Sequence, residues 1–78
     1  GKNVSLTLFS FDKGEEISSH MSHGDAMVYI LDGEAEITIG DKVFILKKGE
    51  TIVMPKGVPH ALLARERFKM LLTVVFNP

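Results

Sequence analysis

Apolar residues recur at alternate positions along most of the chain. Val4, Leu6 and Leu8 alternate with Ser5, Thr7 and Phe9. Ala35, Ile37 and Ile39 alternate with Glu34, Glu36 and Thr38. Val43 and Ile45 alternate with Phe44 and Leu46. Phe68, Met70, Leu72, Val74 and Phe76 share one parity near the end. A period of two sends successive side chains to opposite faces of a strand. Gly and Pro interrupt the earlier segments too often for long helices. The uninterrupted run after Pro59 ends in Val, Thr and Phe, which favour strands.

Turn residues divide this pattern into short pieces. Asp32-Gly33 lies between two apolar runs and reads as a two-residue hairpin. Gly40-Asp41 is a second hairpin candidate of weaker type. Lys48-Gly49 and Pro55-Lys56-Gly57 mark further turns. Pro59 cannot donate to a ladder and belongs at a strand entrance. Strands are expected near residues 4–11, 16–22, 26–32, 34–39, 42–47, 51–54, 60–65 and 67–76. Eight short antiparallel strands suggest a sandwich or barrel.

Composition narrows the possibilities. The chain has 78 residues, a net charge of −1 and no cysteine. That length allows a single domain. The charge balance argues against a nucleic-acid partner held by bulk positive field, and no disulfide can staple the fold. A core this small rarely supplies more than about 3–5 kcal/mol. A metal, a partner subunit or residues outside the chain are therefore expected to contribute. The nearly apolar run from Met70 to Phe76 needs cover on both faces, so a homodimer is expected.

No apolar run reaches about 18 residues, so no membrane span is expected. Gly1-Lys2-Asn3 is not followed by the apolar core of a signal peptide, and a cytoplasmic location is the expectation. The chain does not begin with Met, so it reads as a processed product, a tagged chain or a piece of a longer protein.

One stretch carries more than periodicity. Gly49 is followed by five residues, then Pro55, Lys56, Gly57, Val58, Pro59 and His60. This resembles the second motif of the cupin superfamily, G-x5-P-x-G-x2-H-x3-N, with Ala64 in place of the final Asn. The first cupin motif, G-x5-H-x-H-x3-4-E-x6-G, is matched less fully. Gly14, His20 and Gly33 fall in register. Ser22 occupies the second histidine position, with His23 one residue later, and Ala26 occupies the glutamate position. The resemblance spans about residues 4–76 and points to small single-domain cupins of the conserved-barrel type. It implies an all-β antiparallel jelly-roll barrel of about eight short strands, in a chain that lacks an N-terminal segment.

The resemblance also implies chemistry. Cupins of the mono-metal kind hold a divalent ion with three imidazoles and a carboxylate, a set suited to Fe, Mn, Zn, Ni or Cu. Here His20, His23 and His60 are the candidate ligands. His23 has the opposite parity to His20, and a bulge between them would be needed for both to converge. Asp25 is out of phase with Ala26 and a poor substitute for the missing carboxylate. Ser22, Ala26, Val28, Met54, Leu62 and Ala64 are expected to line the pocket. A dioxygenase or isomerase acting on a small organic molecule is one implied activity. A metal-free small-molecule binding or sensor module, or a structural dimerisation domain, is the alternative.

Other residues carry weaker signals. Glu15 and Glu16 read as a solvated loop, and Glu34 and Glu36 as the wet side of a hairpin. Lys47, Lys48, Arg65, Arg67 and Lys69 are too dispersed to form a phosphate site. Tyr29 has the parity of the opposite sheet surface or an interface. No nucleophile elbow, phosphate loop or dinucleotide fingerprint is present, so no catalytic side chain is assigned.

Overall fold

A computed structural model describes residues 3–76. The described residues form eight strands and no helix: β1 (Val4–Phe11), β2 (Glu16–His20), β3 (Asp25–Asp32), β4 (Glu34–Ile39), β5 (Lys42–Lys47), β6 (Thr51–Met54), β7 (His60–Ala64) and β8 (Phe68–Val75). With no helix among them, none is long and apolar enough to cross a membrane.

The strands form two four-stranded antiparallel sheets, ordered β1-β8-β3-β6 and β2-β7-β4-β5. The pairing is nested: β4 with β5, β3 with β6, β2 with β7, β1 with β8. This is one long hairpin rolled on itself, the jelly-roll topology. The sheets face one another but do not close into a continuous barrel.

Of the two expected hairpin turns, one departs from expectation and the other meets it. Asp32-Gly33 joins β3 to β4, which lie in different sheets, so it is a corner and not a hairpin. Gly33 has φ +83° and rests against the Arg67 carbonyl of the neighbouring corner. A side chain there would meet strained backbone and a steric block at once. The true two-residue hairpin is Gly40-Asp41, flanked by the Ile39–Lys42 pair. Its first central residue is a glycine with φ +61°, as a type II′ turn requires.

The core lies between the sheets. Ala26, Val28 and Ile30 of β3 face Ala35 and Ile37 of β4, with Leu62 and Ala64 of β7 and Phe68, Met70 and Val74 of β8. One end is filled: the Phe11 and Phe68 rings stack with centroids 4.7 Å apart. The facing surfaces bury every second residue, so burial alternates along β7 and along β3 as far as Leu31. In β1 the alternation runs against simple hydrophobicity. Phe9 and Phe11 turn inward, whereas Leu6 and Leu8 remain 67% and 70% exposed.

Candidate functional site

At the end of the sandwich opposite the Phe11–Phe68 stack, the sheets part around a cavity of about 120 Å³. Phe9, Ala26, Met54, Met70, Leu72 and Val74 line it from one sheet, and Ile17 and Leu62 from the other. Ala26 keeps that end open, since Met54 and Val74 flank it on either side in register. His20, Ser22 and His60 supply the polar lining, and no Asp, Glu, Lys or Arg joins them. Such a cavity is well below the about 300–1,000 Å³ of pockets for drug-sized molecules.

A bulge decides which histidine enters. Ile17 pairs with Leu62, and His20 pairs with His60, so β2 holds one residue more than β7 between these pairs. In a regular strand Ile17 would share its face with Ser19, Met21 and His23. The extra residue shifts that parity. His20 and Ser22 then face the cavity. His23, in the bend before β3, is exposed and does not line it. The bulge sits before His20, where it separates the two histidines, and not between them, where it would have united them.

The His20 and His60 rings meet edge to face, with Nε2 atoms 3.1 Å apart. Each ring is oriented by a carbonyl two residues earlier in the chain. His20 Nδ1 lies 3.1 Å from the Ser18 oxygen, and His60 Nδ1 lies 3.3 Å from the Val58 oxygen. A carbonyl can only accept, so each Nδ1 donates. In the neutral rings both Nε2 atoms then present lone pairs to one another. That arrangement is repulsive unless a positive centre, a proton or a metal ion, lies between them. His60 is only 2% exposed. Burial first, and the neighbouring His20 second, push its pKa below the usual 6.5. Both effects favour the neutral, metal-ligating form of the ring.

The loops carrying the pair are tied together. The Lys56 amide donates to Asp25 Oδ1 at 2.9 Å. The Gly57 amide donates to the Ser22 carbonyl at 3.2 Å. Asp25 therefore holds the turn that leads into His60, a role its position in the sequence did not reveal.

Not every expected pocket residue reaches the cavity. Val28 and Ala64 have the right parity but lie in the packed core, 0% and 2% exposed. Parity selects a face, while position along the strand selects depth, and both residues lie beyond the open end. Phe9, Ile17, Met70, Leu72 and Val74 were missed. For the last three the alternation of β8 was the available signal. Among the described residues, no group of three or more His, Cys, Asp or Glu side chains is arranged to hold a metal. The donor set is thus two converging imidazoles, without the third histidine and carboxylate that the resemblance implied.

Glu16 and Glu36 border a separate, shallow groove of about 170 Å³ on the outer face of the second sheet. Arg65 pairs with Glu34 and Glu36, each at 3.4 Å.

The cupin domain family matches residues 7–76, and the chain belongs to that family. It is similar to a conserved protein of unknown function from Streptococcus pyogenes, with 55% identity and a TM-score of 0.95. That match covers 97% of this chain and 67% of the streptococcal chain. A cupin superfamily protein from Desulfitobacterium hafniense is 35% identical with a TM-score of 0.94, over 99% of this chain and 71% of the other. An uncharacterized protein from Streptomyces coelicolor is 30% identical over 59 residues, which are 76% of this chain and 56% of the relative. The chain thus spans little more than half of that relative's length.

Proposed function

We propose that the protein is a small-molecule-binding cupin in which His20 and His60 hold one divalent transition-metal ion, which in turn anchors a small anionic organic ligand. The observation that carries this reading is the approach of the two Nε2 atoms to 3.1 Å, with each Nδ1 beside a backbone carbonyl. Two imidazoles fit adjacent positions of an ion such as Fe, Mn, Zn, Ni or Cu. They bring no charge to it. With Ala26 where related sites carry glutamate, the ion would keep its full double charge among apolar walls. An uncompensated charge in such surroundings is costly, so an anionic ligand donor is favoured. The apolar body of that ligand would rest on Leu62, Leu72 and Val74. With coordination positions left open, the enzymatic form of this reading is a dioxygenase or isomerase acting on that ligand.

The lack of a third protein ligand among the described residues favours a second reading. A shared proton would take the place of the metal, and the cavity would bind its ligand metal-free. Elemental analysis of protein purified without metal-affinity steps separates the two. One metal ion per chain, lost in His60→Ala, supports the first reading. Metal-free protein that also fails to take up added Zn²⁺ or Mn²⁺ overturns it.

A further inference from the structure

We infer that the Ser22 hydroxyl selects the ligand of the cavity, and that this ligand is a short aliphatic monocarboxylate; this rests on the reading of the same cavity as the site of a small anionic ligand. Where the family motif has its second histidine, this chain offers a hydroxyl. Ser22 is held on two sides. Its carbonyl accepts from the Gly57 amide at 3.2 Å, and its Oγ accepts from the Gly24 amide at 3.2 Å. A hydroxyl has one proton and two lone pairs. The Gly24 bond uses a lone pair, so the proton remains. Among the described residues no acceptor takes it, while the side chain borders the cavity. The Nδ1 protons of His20 and His60 go to backbone carbonyls. The Ser22 hydroxyl is thus the side-chain donor left for a ligand.

The cavity then provides for two ligand oxygens. The ion proposed at the histidine pair accounts for one, and the Ser22 hydroxyl for the other. A carboxylate carries two oxygens on one carbon. A simple alcohol or thiol brings one donor atom and leaves Ser22 unused. A dicarboxylate or a phosphate brings further negative charge, and no Lys or Arg lines the cavity to receive it. Charge left unpaired among apolar walls is costly.

Burial sets the ligand's direction. His20 is exposed and Ser22 half-buried, whereas Leu62 and Met70 are almost wholly buried. The carboxylate therefore lies at the mouth, and its tail points inward against Phe9, Leu62 and Leu72. Volume limits that tail. An apolar cavity of about 150 Å³ holds benzene. The present cavity of about 120 Å³ thus admits a chain of about four to six carbons.

Calorimetric titration of Zn²⁺-loaded protein with acetate, butyrate, hexanoate, decanoate and succinate tests this. Affinity should rise about fourfold per methylene from acetate to hexanoate, then fall for decanoate, whose tail exceeds the cavity. Succinate should bind at least about 10-fold more weakly than butyrate. Ser22→Ala should weaken butyrate about 10-fold or more, as loss of a hydrogen bond to a charged group does, and Ser22→Thr should keep most of the affinity. Imidazole, which takes the ion through one nitrogen and brings no second acceptor, should bind wild type and Ser22→Ala alike. Butyrate affinity unaltered in Ser22→Ala, or imidazole weakened as much as butyrate, overturns the role of Ser22. Decanoate binding more tightly than hexanoate, or succinate as tightly as butyrate, overturns the ligand class. Should Ser22→Ala fail to fold, Ser22→Thr and Ser22→Val, alike in shape and differing in the hydroxyl, decide in its place, and equal butyrate affinities overturn the assignment. A protein that takes up no Zn²⁺ contradicts the metal site, and the same series on metal-free protein then decides the ligand. Binding that follows chain length and weakens in Ser22→Ala sustains the inference, and no carboxylate binding overturns it.

Discussion

His20 and His60, forty residues apart in sequence, face each other through Nε2 atoms 3.1 Å apart. Neither ring chose this position by itself. A one-residue bulge in β2 turned His20 inward, and the Pro55-Lys56-Gly57 corner delivered His60 as the first residue of β7. The carbonyls of Ser18 and Val58 fix which nitrogen each ring offers. Each ring thus keeps Nδ1 on a backbone carbonyl and turns Nε2 toward its partner.

The pair's pH dependence follows from His60. Its pKa lies below the unfolded value of 6.5 because burial and His20 oppose its charge. Below pH 6.5 the unfolded state binds more protons than the native state, so stability falls as pH falls. That loss continues until pH reaches the lowered native pKa and then levels off. Urea midpoints measured between pH 8 and pH 5 should show this decline, and His60→Gln should make it shallower. An identical slope in the two proteins would remove His60 from the account.

Asp25 is expected to act through the loop it holds. Asp25→Ala frees the Lys56 amide, which donates to it at 2.9 Å. The stability cost should be about 1 kcal/mol, the net contribution of such a bond. Metal affinity should fall about 10-fold, as when a group supporting a ligand is removed. Asp25→Asn, which keeps an acceptor, should recover most of it. Calorimetric titration with Zn²⁺ reads the affinity, and urea unfolding reads the stability.

Much of this architecture is legible in the sequence because strands bury alternate residues. All eight strands are legible from alternation and turn residues together, and Gly49, Pro55, Gly57 and His60 mark the corner before β7. Pairing across sheets is not legible in the same way. Asp32-Gly33 has the composition of a hairpin, yet contact with the Arg67–Phe68 backbone makes it a corner. The bulge before His20 is equally silent, since nothing in Ile17-Ser18-Ser19-His20 announces an extra residue. Parity counted along an unbroken strand therefore cannot show which histidine enters the cavity. The inward turn of Phe9 in place of Leu8 is another such case: Phe9 shares its face with Phe11, whose ring stacks on the buried Phe68 at 4.7 Å.

Gly33 should tolerate no side chain. Its φ of +83° and its contact with the Arg67 carbonyl predict that Gly33→Ala destabilises the fold by about 1–3 kcal/mol. Chemical denaturation measures this directly. A change below about 0.5 kcal/mol, the range of an ordinary surface substitution, would mean that the corner is not tightly packed.

Ala26 offers a gain-of-ligand test. It is 2% exposed and lines the cavity beside the histidine pair. Ala26→Glu should lower metal-free stability by about 1–3 kcal/mol, because it buries an uncompensated polar group. Added Zn²⁺ should restore that stability and bind more tightly than to the wild type, since the carboxylate offsets the ion's charge. Thermal melts with and without the metal report the coupling.

The central claim is that His20 and His60 together form one metal site, and titration of stripped protein with Zn²⁺ or Co²⁺ at pH 7.5 tests it most directly. The account predicts saturable binding of one ion per chain, weakened more than about 100-fold in either His20→Ala or His60→Ala, with His23→Ala unchanged. Absence of saturable binding, or binding that survives loss of His60, would contradict it.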